Sequence, residues 1–92
     1  MFQIDPREEY KNLVELKCQE YRWEVSDHVK EVMISLLMTR DKVWVGGGGV
    51  QSILSNDLRQ AINYCDSEIV KHLKEMVVAR DNFYLKKDEF AF

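Results

Sequence analysis

The stretch Arg40-Asp41-Lys42-Val43-Trp44-Val45-Gly46-Gly47-Gly48-Gly49-Val50-Gln51-Ser52 divides the chain into two helical halves. Four consecutive glycines do not suit a helix interior, where each costs about 1 kcal/mol relative to alanine. Val43-Trp44-Val45 has strand character but is too short to stand as a strand alone. The segment, taken as residues 40–55, therefore reads as a connection.

Upstream of it, Asp5-Pro6 is a strong helix start, because aspartate can cap free N–H groups and proline suits the first helical position. Glu8 and Glu9 then complement the helix dipole. Tyr10, Val14, Cys18, Tyr21, Val25, Val29, Val32 and Leu36 recur at steps of three and four, which is one apolar stripe of helical period. Leu13, Met33 and Leu37 widen it, whereas Trp23 and Leu16 lie off it and need a second burial site. This pattern predicts a helix over about 6–39. It either runs unbroken or breaks near Ser26-Asp27, where either residue can cap a second helix; a long helix, kinked there or not, is the favoured form.

Downstream, Asn56 or Asp57 is a candidate N-cap, and Gln60 three residues after Asp57 gives a capping-box pattern. Leu58, Ala61, Ile62, Cys65, Ile69, Leu73 and Met76 form a second stripe, predicting a helix over about 56–80. Val50 to Leu54 can add a short turn of helix before it. The aromatic residues of the tail, 81–92, point to docking rather than a free end. The expected fold is a single mostly α domain over 1–92. Two long antiparallel helices, the first kinked or not, are joined by the Val-Trp-Val and glycine-rich turn. A bare hairpin would leave outer apolar residues wet, so assembly into an oligomeric helical bundle is expected.

Composition supports that expectation. Of the 92 residues, 46% are hydrophobic and 11% aromatic. That is rich for a small domain with a thin core, and it points to a second copy or another partner. The net charge of -3 and pI near 5.3 disfavour a nucleic-acid backbone as ligand, since such binding rests on clustered Lys and Arg. A cytoplasmic protein is expected, in the host cell if the chain is viral. Met1 to Pro6 is short and followed by charge, unlike a signal peptide, and no apolar run nears the roughly 18–20 residues of a membrane span. Cys18 and Cys65 are far apart and form no CxxC pair; reduced core thiols are the default, with a disulfide between them as the alternative.

Catalytic chemistry finds no support. Ser26-Asp27-His28 places three triad residue types side by side, whereas a triad needs them spread around an open nucleophile. Glu68 and His72 share a helix face, as do His72 and Glu75, but two ligands of that kind do not make a zinc site, which usually needs three or four. Cys65-Asp66 has no histidine near it in sequence. No enzyme, metal or cofactor is expected.

The glycine run is the candidate site. Backbone N–H groups of Gly46, Gly47, Gly48 and Gly49 ahead of a helix can face an anion. Arg40, Lys42 and Arg59 flank the run with positive charge, Trp44 offers a face for stacking on a base, and Asn56 and Asp57 can cap the helix or contact sugar or base. The run is neither a P-loop, since Gly49 is followed by Val50-Gln51-Ser52, nor a GxGxxG turn in a βαβ unit. A flexible turn is the plainer reading of the same glycines.

Gly49-Val50-Gln51-Ser52-Ile53-Leu54-Ser55-Asn56-Asp57-Leu58-Arg59-Gln60-Ala61, with Cys65-Asp66 after it, resembles a pattern in an uncharacterised family of small phage and prophage proteins. In that pattern a glycine is followed by an apolar pair, Asn-Asp-Leu, an alanine and an Ala-Asp. Cys65 stands where the pattern has alanine, and Val50 where an aromatic often sits. The proline-containing lead-in and tryptophan-containing tail are missing here. The resemblance implies a viral origin and brings no established activity. Small viral proteins often act by binding and disabling a host component.

Two functions are expected on these grounds. The first is a non-enzymatic protein that sequesters an anionic small molecule, such as a host nucleotide signal, and so counters host defence. The second is an inhibitor or adaptor that blocks a host protein through its aromatic and apolar surface, with Trp23, Phe83, Tyr84, Phe90 and Phe92 as candidate anchors.

Overall fold

The computed structural model describes residues 6–85, which are mostly helical and contain no strand. Asp5, expected to cap the first helix, and the tail from Lys86, with Phe90 and Phe92, lie outside the described residues. The helices are α1 (Pro6–Tyr21), α2 (Asp27–Arg40), α3 (Gly48–Leu54), α4 (Leu58–Tyr64), α5 (Ser67–Lys71) and α6 (Leu73–Asn82).

The single helix expected over 6–39 is two helices. α1 buries Tyr10, Val14 and Cys18, the first three members of the stripe. It stops because Arg22 turns left-handed, at φ 59°. The Arg22 N–H then bonds the Gln19 carbonyl at 3.2 Å and the Trp23 N–H bonds the Cys18 carbonyl at 2.8 Å. This paired closure satisfies carbonyls that a helix end leaves orphaned. Four residues on, the Ser26 Oγ accepts the Val29 N–H at 3.3 Å and starts α2. The reversal lets the two halves of the stripe bury each other within one chain. Tyr10 OH donates to Asp41 at 2.8 Å, Lys30 meets Glu15 at 3.3 Å and Arg7 pairs with Glu31 across this hairpin.

Helix α2 is the centre of the molecule and packs against α1, α3, α5 and α6. Val29, Met33, Ile34, Leu36, Leu37 and Met38 are all buried, so it is apolar around most of its circumference, as a central helix must be.

The helix expected over 56–80 is also broken. Asp57 does cap α4, accepting the Gln60 N–H at 3.2 Å. Cys65 is extended, however, and Asp66 opens α5 by accepting the Ile69 N–H at 2.9 Å. The second stripe therefore does not stay on one face. Ala61, Ile69 and Met76 are buried, whereas Leu58 and Ile62 on α4 are exposed.

Trp23 finds its burial site. Its ring packs 5.6 Å from Phe83, and Tyr21 meets both edge-on at 5.0 and 5.4 Å. Phe83 is fully buried, so this part of the tail docks as expected. Leu16, expected to need burial, stays exposed. Both cysteines are free thiols. Among the described residues no helix is long and apolar enough to cross a membrane.

Candidate ligand-binding site

The end of α2 repeats the closure used at the end of α1. Lys42 is left-handed at φ 64°, its N–H bonds the Thr39 carbonyl at 3.1 Å, and the Val43 N–H bonds the Met38 carbonyl at 2.9 Å. Asn56 closes α3 in the same way, at φ 62°, with Asp57 N–H on Ser52 at 2.8 Å. No glycine has a positive φ.

The glycines serve close approach instead. A β-carbon on Gly46 would stand 2.9 Å from both Thr39 Oγ1 and Val50 Cγ1 and 3.1 Å from Ser35 Oγ, so this residue brings the connection back against α2. One on Gly49 would stand 2.6 Å from Cys65 Sγ, whereas one on Gly48 would make ordinary contact with the Tyr64 ring at 3.4 Å. Gly47 has open space around its α-carbon and caps α3 without a side chain. Gly48 and Gly49 are the first turn of α3 rather than part of a loop. Close packing of α4 on α3 offsets the helical cost of these two glycines.

Between the Lys42 stop and Gly46, the chain is turned outward. Val43, Trp44 and Val45 are 46%, 56% and 79% exposed. Trp44 lines a cavity on each side. One, of about 540 Å³, is bounded by Thr39, Lys42, Val43, Trp44, Val45 and Gln51. The other, of about 470 Å³, lies between the N-terminal end of α1 and α2, with Pro6, Arg7, Glu31, Ile34 and Met38 among its walls.

The sequence-derived site residues divide between these surroundings. Lys42 and Trp44 come together on one cleft, and the Lys42 ammonium has no ion-pair partner among the described residues. Arg40 is committed elsewhere. Its guanidinium grips Asp41 at 2.7 and 2.9 Å, donates to the Arg80 carbonyl at 2.9 Å and lies 4.2 Å over the Tyr84 ring. Asn56 accepts from Arg80 at 3.3 Å, and Asp57 is occupied as the α4 cap. Arg59 is exposed on α4 and lines neither Trp44 cavity.

Sequence reasoning missed Gln51, which lines the cleft and donates to the Gly46 carbonyl at 3.2 Å. It also missed Arg80, whose guanidinium holds the Ile53 carbonyl at 2.7 Å and so joins α6 to α3. An adjacent polar residue after the glycine run was the available signal for Gln51. No local pattern announces Arg80.

Of the residues weighed for catalysis, Ser26, His28 and His72 each meet a carboxylate, and Cys65 is a partly buried free thiol. Ser26 Oγ donates to Glu68 at 2.8 Å, while His28 Nε2 lies 2.5 Å from Asp66, so serine and histidine face different carboxylates. The Ile69 N–H, and then His28, hold the Asp66 carboxyl below the usual range. Burial pushes both thiols up, with Asp66 adding to the effect at Cys65, which leaves them mostly protonated near neutrality. His72 Nδ1 meets Glu75 at 3.1 Å. Among the described residues, no cluster of three or more His, Cys, Asp or Glu could hold a metal ion. No family model matches the chain, and comparisons with curated proteins and with solved structures likewise give no match.

Proposed function

We propose that this chain is a non-enzymatic binding protein that holds an anionic, ring-bearing small molecule of the nucleotide class in the cleft beside Trp44. One observation carries the reading: a lysine with no ion-pair partner among the described residues and a half-exposed tryptophan sit side by side on an open cleft of about 540 Å³. The ammonium would meet phosphate, the indole would stack on a base, and the Thr39 and Gln51 side chains supply polar contacts on the same cleft. Arg40 and Asn56 stand outside this reading, because neither lines the cleft and their polar groups are engaged elsewhere. The resemblance to small phage proteins suggests a setting in the host cytoplasm, where removal of a nucleotide signal would counter host defence.

Isothermal titration against cyclic and linear nucleotides tests the proposal. Binding is expected for at least one, weakened about tenfold or more by Lys42→Gln or Trp44→Ala and unchanged by Arg59→Gln. No heat across the panel would end it.

A second reading, that of a host-protein inhibitor, is favoured by the exposed Leu58, Ile62 and Tyr64 on α4. It predicts capture of a host protein that is lost with Ile62→Glu and kept with Lys42→Gln. A deletion that tests the aromatic tail must begin after Leu85, because Phe83 is core.

A further inference from the structure

Val43-Trp44-Val45 projects apolar surface on the order of 300 Å², a patch size that on a monomer is often functional. Val43 and Trp44 also form one wall of the groove of about 470 Å³ whose other apolar walls are Pro6, Ile34 and Met38. Arg7 and Glu31, paired with each other and each about half exposed, also line this groove. A projecting apolar segment and an apolar groove thus share one face.

We propose that a second copy of this chain docks on that face in a two-fold arrangement, each copy's Val43-Trp44-Val45 seated in the other's groove. Two features favour a copy over a foreign peptide. A peptide in the groove would cover Val43 and Trp44 but leave Val45, which lies outside its lining, wet, whereas a two-fold contact uses projection and groove on both molecules at once. That doubled use is what a face this small needs to approach the roughly 800 Å² per partner of a stable interface. The charges are also self-complementary. A two-fold axis near the groove brings Arg7 of one copy toward Glu31 of its partner, so each can exchange or share its intramolecular pair without like charges meeting. The inference does not depend on the nucleotide reading, although the nucleotide cleft shares Val43, Trp44 and Val45 with this face.

Sedimentation velocity of the full chain, from micromolar to millimolar, tests it, with circular dichroism to confirm that each variant keeps its helix content. Wild type is expected to dimerise and Trp44→Glu to sediment as a monomer. Arg7→Glu alone and Glu31→Arg alone should each weaken self-association about tenfold, because like charges then face across the axis. An equimolar mixture of these two variants should recover the dimer, since each then faces its opposite. An intramolecular role for the pair cannot produce that recovery. A wild type that is monomeric throughout, a dimer indifferent to Trp44→Glu, or a mixture no better than its components would overturn the proposal. Capture of a different protein by a chain that stays monomeric would assign the face to that partner instead. Nucleotide titration of the same variants separates the two proposals, since Arg7 and Glu31 do not line the ligand cleft.

Discussion

The two connections flanking α2 begin alike and end differently. Each starts from a helix closed by a left-handed cationic residue, Arg22 in one and Lys42 in the other, with the same pair of backbone hydrogen bonds. Each then carries a tryptophan close behind. The first connection turns Trp23 inward against Phe83 and is finished within a few residues by the Ser26 cap. The second turns Trp44 outward between two valines and returns only at Gly46. Identical backbone stops therefore do not determine where an aromatic goes. The surroundings of the ring differ: a buried phenylalanine receives Trp23, whereas Trp44 stays more than half exposed at the edge of a groove that Ile34 and Met38 also line. An exposed tryptophan on a 92-residue chain is a costly placement unless something beyond the chain covers it.

The comparison can be broken most forcefully at its buried side. Phe83→Ala should cost about 3–5 kcal/mol, because it opens a cavity beneath Trp23 and Tyr21. Trp44→Ala should leave stability within about 0.5 kcal/mol while removing binding. Urea unfolding of both variants checks the pair, and a large loss from Trp44→Ala would show that Trp44 is core after all.

Next in size is the contrast within the glycine run. Gly49→Ala should destabilise by about 1–3 kcal/mol, since its β-carbon would fall against Cys65 Sγ. Gly47→Ala, in open space and at negative φ, should change stability by less than about 0.5 kcal/mol. Equal effects at the two positions would contradict the role of close approach.

Ser26→Ala should cost about 1 kcal/mol by uncapping α2, which sharpens the account of how the first connection is ended. At the opposite end of α2, Tyr10 carries a pH signature. Burial, then its hydrogen bond to Asp41, raises its phenol from 10 to about 12. The folded chain thus keeps this proton where the unfolded chain releases it. The Tyr10 contribution is therefore complete below pH 10 and is lost as pH rises from 10 to about 12. In Tyr10→Phe that component of the alkaline decline should vanish, as measured by thermal unfolding across that range.

Smallest are the left-handed stops themselves. Arg22→Gly and Lys42→Gly should each stabilise by a few tenths to about 1 kcal/mol by relieving the β-carbon strain, partly offset by greater freedom in the unfolded chain. Loss of stability in either would argue that the side chain, not the backbone, matters at that stop.

Much of this architecture was legible in the residues. Helical period located Tyr10, Val14, Cys18, Val29 and Leu36 in the core, and Asp57 was recognisable as a cap. The breaks were harder to see, because periodicity runs straight through Arg22 and Cys65. A left-handed arginine leaves no compositional mark, whereas glycine, the usual mark of such a stop, here does a different job. The four glycines read as a connection, but two belong to α3, and Gly46 and Gly49 make room for close neighbours. Arg40 looked available because its acceptors, the adjacent Asp41 and the distant Arg80 carbonyl, have no signature as partners in sequence. Lys42 and Trp44 stayed together on a cleft because only one residue separates them along an outward-turned chain.

The most direct test of the contrast between the two tryptophans is the fluorescence of Trp23→Phe, in which Trp44 alone reports. The account predicts red-shifted emission, readily quenched by acrylamide in dilute protein, that becomes protected when nucleotide or a second copy is supplied. Blue-shifted emission, shielded from quencher at every dilution and unmoved by either addition, would contradict it.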